Sequence, residues 1–399
     1  MKKLLLLGGA RYLLPVIKTA HALGLYVITC DYLPDNYAHR YADAYHNVSI
    51  IDKEAVLQLA KELAVDGIMS FACDPGVETM AYVCEKLGLP CVGSYEAVLT
   101  LQDKVRFRDF LRKNGFNVPH ARGFSACAEF LENAAEFHFP VIVKPADSAG
   151  SKGVTRLDST QDAAQAVELA LAYSKTKRFI VEEFIEKQGD SSDCDCFSVN
   201  GKMVFVSFSN QKFDPQATNP YTPAGYTWPP QMPAQAQAYL AAELDRVCKL
   251  LGLGSSVYNV ETRVGKDGKA YIMEMSPRGG GNRLSEMMRY VAHTDLIEQA
   301  IHAALGEPCR IEAMPHYEGY WYEYILHAET AGVFVEVQID EALLDNVVEK
   351  DLWVCPGDSV NAFTGANQTI GTLVFRFASQ NQLEAAVQNS SAWIRVVTR

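Results

Sequence analysis

Ten cysteines occur in the sequence, yet none are paired as C-x-x-C; the tightest spacing is the C-x-C of Cys194 and Cys196. That absence argues against a zinc knuckle or dithiol centre and fits reduced thiols packed as small hydrophobes. Long apolar runs are missing too. The run from Leu4 to Leu7 falls far short of a signal peptide or of the ~20 residues that span a bilayer. Basic residues are outnumbered, 36 against 48, and the net charge of −12 speaks against general nucleic-acid or membrane-surface binding. Neither glycine-rich nucleotide signature is met. No G-x-x-x-x-G-K-[ST] occurs, and after Gly8 the second and third glycines of G-x-G-x-x-G are Ala10 and Leu13. Low-complexity tracts and internal repeats are also lacking. What remains is a globular chain of 399 residues, 48% hydrophobic, with room for two to three domains and expected in the cytoplasm.

Strands and helices alternate at the start, which predicts a parallel, doubly wound α/β sheet. Its strands are expected at 3–7, 26–30, 67–71 and, briefly, at Cys91-Val92-Gly93. Asp74-Pro75-Gly76 follows a strand, where open α/β sheets bind ligands, and suits a helix N-cap equally well. A helical pattern over 94–114 is broken by Gly115 and Pro119. Then come a helix at 125–137, a strand from Val141 to Lys144, a small-residue loop over 146–153, a helix at 160–173 and a strand at 178–182. A strand pair spans 194–209. Residues 210–233 hold prolines 215, 220, 223, 229 and 230 with little periodicity, and read as one long loop, either functional or a structural excursion. Helices are expected at 234–251, 283–291 and 295–305, and strands through 317–399 with one helix near 380–389.

The stretch from Tyr258 to Arg283 carries the densest chemistry. Two apolar, alternating runs flank Asp267-Gly268, a strong hairpin-turn signal. With that turn Glu261 lies directly opposite Glu274; with Lys266-Asp267 as the turn they are diagonal neighbours on one face. Two facing carboxylates repel by a few tenths to ~1 kcal/mol. A hard cation between them reverses the sign, because Mg²⁺ takes one or two carboxylates plus phosphate oxygens. A solvent-facing strand with two unrelated glutamates is the plain alternative. Ser276-Pro277-Arg278 and Gly279-Gly280-Gly281 follow, an arginine fork beside bare backbone that suits anionic oxygens. Upstream, Lys144 ends a strand that should point it inward, which is costly unless it meets an anion. The loop Ser148-Ala149-Gly150-Ser151-Lys152-Gly153 offers N–H groups, hydroxyls and a cation as a phosphate cover, or is only a surface turn. Phe179 to Ile185 reads as a strand whose backbone could pair with an adenine edge against Phe184, Ile185 and Met273, or as a core strand.

In this order and at these spacings, the motifs resemble the ATP-grasp superfamily of ligases over nearly the whole chain. The resemblance implies an α/β fold, α+β in its body: a pre-ATP-grasp Rossmann-like domain (1–95), the ATP-grasp domain (96–315, with a lid at about 120–187) and a small β-rich C-terminal lobe (316–399), like that of the purK and biotin-carboxylase group. It implies ATP bound by Lys104, by Lys144 on the α- and β-phosphates, and by the mobile loop with Ser148, Gly150, Ser151 and Gly153. Glu182, the Glu183 carbonyl and the Ile185 amide resemble the adenine-reading hinge, with Met273 as an apolar wall and Asp190 as a ribose partner. Glu261 and Glu274 match the magnesium carboxylates. Arg278 matches the arginine that steadies an acyl phosphate, with Lys152 and Lys212 as further catalytic cations, and Gly280, Asn282 and Arg283 lining the carboxylate pocket. One position departs from the pattern: the family's E-x-N-P-R carries an asparagine metal ligand where this chain has Ser276.

The chemistry so implied is phosphorylation of a carboxylate by ATP with Mg²⁺, Mn²⁺ being an alternative, followed by attack of an amine on the acyl phosphate. The expected partners are a small carboxylate and a small amine, with no nucleic acid or membrane; a homodimer stays open. Within the superfamily the chain most resembles the L-amino-acid ligase branch. A purine-pathway enzyme activating bicarbonate or formate is the second reading, which a basic ribose-phosphate pocket near Arg11, Arg40 and Asp74 would favour. A nucleotide sensor without turnover is the third, and the two glutamates and two lysines argue against it.

Overall fold

In the computed structural model, which describes every residue except Ala149, Ser151, Pro220 and Glu312, the chain begins with a parallel four-stranded sheet. Its order is Ala44–His46, Tyr26–Cys30, Lys3–Leu7, Gly67–Ser70. Helices cover both faces, so Leu4 to Leu7 are all fully buried, as an unbroken apolar run requires. The short strand expected at Cys91-Val92-Gly93 does not form. Pro90 precedes it, Ser94 caps the next helix, and the Val92 carbonyl accepts from Gly254 N–H at 2.6 Å instead. The sheet's edge is taken by Ala44–His46, which the sequence pattern did not reveal.

Asp103 splits the helical stretch after residue 94 into Tyr95–Gln102 and Lys104–Lys113, its side chain accepting from the N–H groups of Val105 and Arg106. A small antiparallel sheet follows, in the order Ala121–Phe124, Phe179–Glu183, Val141–Pro145, Thr155–Leu157. It has its own core around Phe124, Phe130, Val143 and Phe179. The helix expected over 125–137 is only Cys127–Glu132, followed by a 3₁₀ turn at Ala134–Glu136. The next sheet runs Lys202–Val206, Ser192–Val199, Ser256–Val264, Ala270–Ser276, all antiparallel, and Ala234–Leu251 packs across it.

Residues 210–233 are not one long loop. Asn210–Phe213 and Pro223–Trp228 are paired strands that join Tyr320–Leu326, Gly371–Phe377 and Val347–Leu352 in a five-stranded sheet. The prolines are compatible because Pro223 starts a strand and Pro229 follows its end, so neither removes a needed ladder donor. Asn210 Nδ2 donates to the Thr227 and Pro229 carbonyls and locks that end shut. Tyr226 and Trp228 are fully buried. No helix among the described residues is long and apolar enough to cross a membrane.

Candidate active site

The hairpin places Glu261 directly opposite Glu274, and Asn259 opposite Ser276. The route to that register is not the expected turn. Gly268 N–H donates to the Gly265 carbonyl at 2.9 Å, so the turn centres on Lys266-Asp267, and Gly268 follows with φ 77. Next to the turn Val264 pairs with Ala270 and Thr262 with Ile272, a register that by itself would put the two glutamates on opposite faces. A bulge at Met273 absorbs the extra residue and restores the pairing. Two cations flank the carboxylates: Lys104 Nζ is 3.7 Å from Glu274, and an Arg263 nitrogen 3.6 Å from Glu261.

On the facing sheet Lys144 and Glu182 sit on neighbouring strands and are joined by a short charged hydrogen bond. Arg108 Nε also donates to Glu182 at 3.0 Å. Burial pushes the Glu182 carboxyl up, but Arg108 and Lys144 outweigh it and hold the pKa down at about 2. Burial lowers the Lys144 pKa, and Arg108 and Lys104 add to that against Glu182. The Glu182 carboxylate therefore holds the Lys144 ammonium and the Arg108 guanidinium in place. Lys104 Nζ donates to the Ser148 carbonyl at 2.7 Å and so ties the glycine-containing loop to Glu274.

These elements enclose one open cleft with about 960 Å³ of empty space. It is lined by Lys104, Lys144, Ser148, Gly150, Lys152, Glu182, Glu183, Ile185, Glu261, Met273 and Glu274. Eleven of the expected site residues thus share a single cleft. Ile142, Pro145, Val154, Phe184, Gln211, Phe213, Tyr221 and Arg263 complete it. Ser151 lies outside the described residues. Gly153 does not line the cleft: with φ +69 it turns the chain against Pro145 and Tyr173. Asp190 and Lys212 pair at 2.5 Å in an adjoining cavity that shares Gln211 and Phe213 with the cleft.

Behind the carboxylate pair the side chains form a closed network. Arg278 makes a fork on Asp74 (Nε at 3.0 Å, a terminal nitrogen at 2.6 Å) and also donates to Asn259 Oδ1 at 3.1 Å. Ser276 Oγ donates to Asp74 at 2.9 Å and accepts from Gln102 at 2.8 Å. The Asp74 end of the fork therefore links the first sheet to the hairpin. Burial raises the Asp74 pKa, and Arg278 more than offsets it, so the carboxylate stays ionised. Arg11, which a ribose-phosphate pocket would need, stacks on Tyr37 at 4.3 Å and meets Asp351 at 3.4 Å. Gly280 N–H donates to both oxygens of Asp195, and Asn282 bridges the hydroxyls of Tyr12 and Tyr226. Arg283 pairs with Glu286 and Glu349.

Asp193, Asp195 and Asn259 were missed in the sequence, although the alternation Ser192-Asp193-Cys194-Asp195-Cys196 holds the signal: it puts both aspartates on the face that carries Glu261. Asp193 stands opposite Glu261 and Asp195 opposite Asn259. Burial, then the Glu261 charge, pushes the Asp193 pKa up to about 7. Burial raises that of Asp195 to about 6 against the hydrogen bonds of Ser285 and Gly280. Among the described residues no three His, Cys, Asp or Glu side chains form a ready-made metal cage. The donor set is two facing carboxylates beside a polycationic cleft. It fits Mg²⁺, which completes its shell with phosphate oxygens and water.

Residues 137–286 match the model of the ATP-grasp domain family. Among curated relatives, a formate-dependent phosphoribosylglycinamide formyltransferase of Bacteroides thetaiotaomicron is 26% identical over 70% of this chain and 71% of its own length. Carnosine synthase 1 of Gallus gallus is 26% identical over 66% of this chain and 30% of its own. Among solved structures, an L-amino acid ligase from Bacillus licheniformis superposes with a TM-score of 0.82 at 19% identity, covering 100% of this chain and 99% of that one.

Proposed function

Because the chain carries an ATP-grasp domain and has the ATP-grasp fold over its whole length, we propose that it is an ATP- and Mg²⁺-dependent carboxylate–amine ligase that works through an acyl phosphate. The observation that carries the reading is the facing pair Glu261 and Glu274 in one cleft with Lys104 and Lys144. Bound MgATP supplies the γ-phosphoryl group. Glu261 and Glu274 are the carboxylates that hold its metal. Lys144, kept inward by Glu182, meets phosphate oxygens, and exposed Lys152 on the loop closes over them. Glu183, Phe184, Ile185 and Met273 provide the apolar and backbone surface for the base. Arg278, fixed by Asp74, faces the charge that builds on the acyl oxygens. All of this is electrostatic preorganisation, and no side-chain nucleophile is involved. Ser276 serves through Asp74 and Gln102, which leaves one asparagine-type ligand of the family without a counterpart.

The purine reading is supported by the formyltransferase relatives and opposed by the engagement of Arg11 and Asp74 within the protein. Carnosine synthase and the amino-acid ligase fold favour an amino acid as one substrate. The test is a screen of amino acids and small carboxylates for ADP release, with hydroxylamine present to trap acyl phosphate as hydroxamate. Hydroxamate with an amino acid supports the ligase. Turnover only with a ribotide amine selects the purine branch, and tight ATP binding without turnover selects a sensor.

A further inference from the structure

Arg263 lines the nucleotide cleft two residues after Glu261 on the same strand, so both side chains stand on one face. Its guanidinium is engaged around its rim. Nε donates to Ser191 Oγ at 3.1 Å, and one terminal nitrogen donates to the Ile185 carbonyl at 3.3 Å. The other terminal nitrogen lies 3.6 Å from Glu261, too far for a hydrogen bond, so that carboxylate stays available to a metal. Ile185 marks the base end of the cleft and Glu261 its metal end. A nucleotide that reaches from one to the other has to lie over Arg263.

The connector around Ile185 does not depend on these side-chain bonds. Lys266 N–H donates to the Glu186 carbonyl and Gln188 N–H to the Val264 carbonyl, each at 2.8 Å, and Lys187 forms a bridge with Gly265. Backbone contacts thus already fix the connector against the strand that carries Arg263. What the bonds to Ser191 and Ile185 fix is the guanidinium itself. Its donors all lie in one plane, so with the rim engaged the flat face is what remains for a ligand. Such a face stacks on aromatic planes through cation–π attraction and planar contact. Met273 lines the cleft from the neighbouring strand, and Ile142 and Val154 line it from the side of the small sheet. A planar base fits between these walls.

We propose that Arg263 is the stacking platform for the nucleobase, its guanidinium carrying one face of the purine while the backbone from Glu183 to Ile185 meets the edge. This assignment rests on the ATP-dependent ligase reading and adds to it a residue that binds the base through its plane. Two tasks are thereby separated. Discrimination between purines belongs to the backbone, and Arg263 contributes equally to any purine, whatever its edge.

The experiment is calorimetric titration of the full-length protein with MgADP, MgIDP and magnesium tripolyphosphate. IDP keeps the purine plane and changes its edge, and tripolyphosphate has no base. Arg263→Ala is expected to weaken MgADP and MgIDP by a similar factor of about fivefold or more, leaving their ratio as in wild type. Tripolyphosphate binding should stay within about twofold, because stacking on a base does not act on phosphate. Arg263→Gln, which keeps a donor for the Ile185 carbonyl, should give the same pattern and replaces the alanine variant if that does not fold. Unchanged nucleotide affinity overturns the assignment. So does a loss confined to MgADP, which would make Arg263 part of edge reading. An equal loss with tripolyphosphate, which would put its action on the phosphates or the metal, also overturns it. Each of these outcomes leaves the ligase reading standing, whereas wild-type protein that binds none of the three ligands overturns that reading and this assignment with it.

Discussion

A carboxylate placed for a metal and one placed for structure respond oppositely to truncation. Glu274 faces Glu261 across the hairpin, and Lys104 pairs with Glu274 at 3.7 Å, so Glu274→Ala relieves one repulsion and loses one ion pair, and metal-free stability should change by no more than ~1 kcal/mol. The same change should lower ADP release about a hundredfold or more. Chemical denaturation without Mg²⁺ and an ADP-release assay with it check the two halves; full activity would end the metal assignment. Glu182 is the contrary case. Its pKa is depressed from 4.5 to about 2, so its contribution to stability is complete above the unfolded value. It is lost as pH falls from about 4.5 toward 2, and amounts to about 3 kcal/mol. Glu182→Gln should flatten that acid limb in denaturation curves measured from pH 5 to pH 2. At neutral pH it should cost about 3–5 kcal/mol, because Arg108 and Lys144 would remain buried without their anion.

At the scale of elements, two of the three glycines after Arg278, Gly279 and Gly280, are set by what presses on them. A Cβ on Gly279 would lie 2.2 Å from the ring of Phe71, at the end of the first sheet. Gly279→Ala should therefore destabilise by about 1–3 kcal/mol, and pairing it with Phe71→Leu should recover part of that loss. A thermal melt of the two single variants and the double variant decides it; additive losses would show that the contact is not the cause. Long periodic helices such as Ala234–Leu251 and the apolar strand Lys3–Leu7 were legible in the sequence because local pattern and burial agree there. So was the facing of Glu261 and Glu274, although by a different turn, since a bulge at Met273 leaves no composition signal. Residues 210–233 were misread because prolines were counted without their positions, and Pro223 and Pro229 fall where a strand tolerates them. Asp74 and Arg278 lie too far apart in sequence for any local rule to join them.

For the whole molecule, the distribution of cores predicts which part moves. One apolar cluster joins Leu4 and Leu6 of the first sheet to Phe197, Trp228, Trp321 and Val374 of the two large sheets. Those three layers therefore share their stability. The small sheet that carries Lys144 and Glu182 keeps a separate core of Phe124, Phe130, Val143 and Phe179. Its ties to the rest across the cleft are polar ones such as Lys104 on Ser148 and Arg178 on Asp103. A unit with its own core and few apolar contacts outward can open at low cost. A nucleotide bridging Lys144 to Glu261 and Glu274 should close it. A nonhydrolysable MgATP analogue at 100 times its Kd should stabilise the protein by about 2.7 kcal/mol. Amide exchange should slow in Val141–Pro145 and Phe179–Glu183, while Lys3–Leu7 is unaffected. Lys144→Met should abolish both effects together. Equal protection of the first sheet would mean that the molecule binds nucleotide as one rigid body, and the hinge would have to be sought elsewhere.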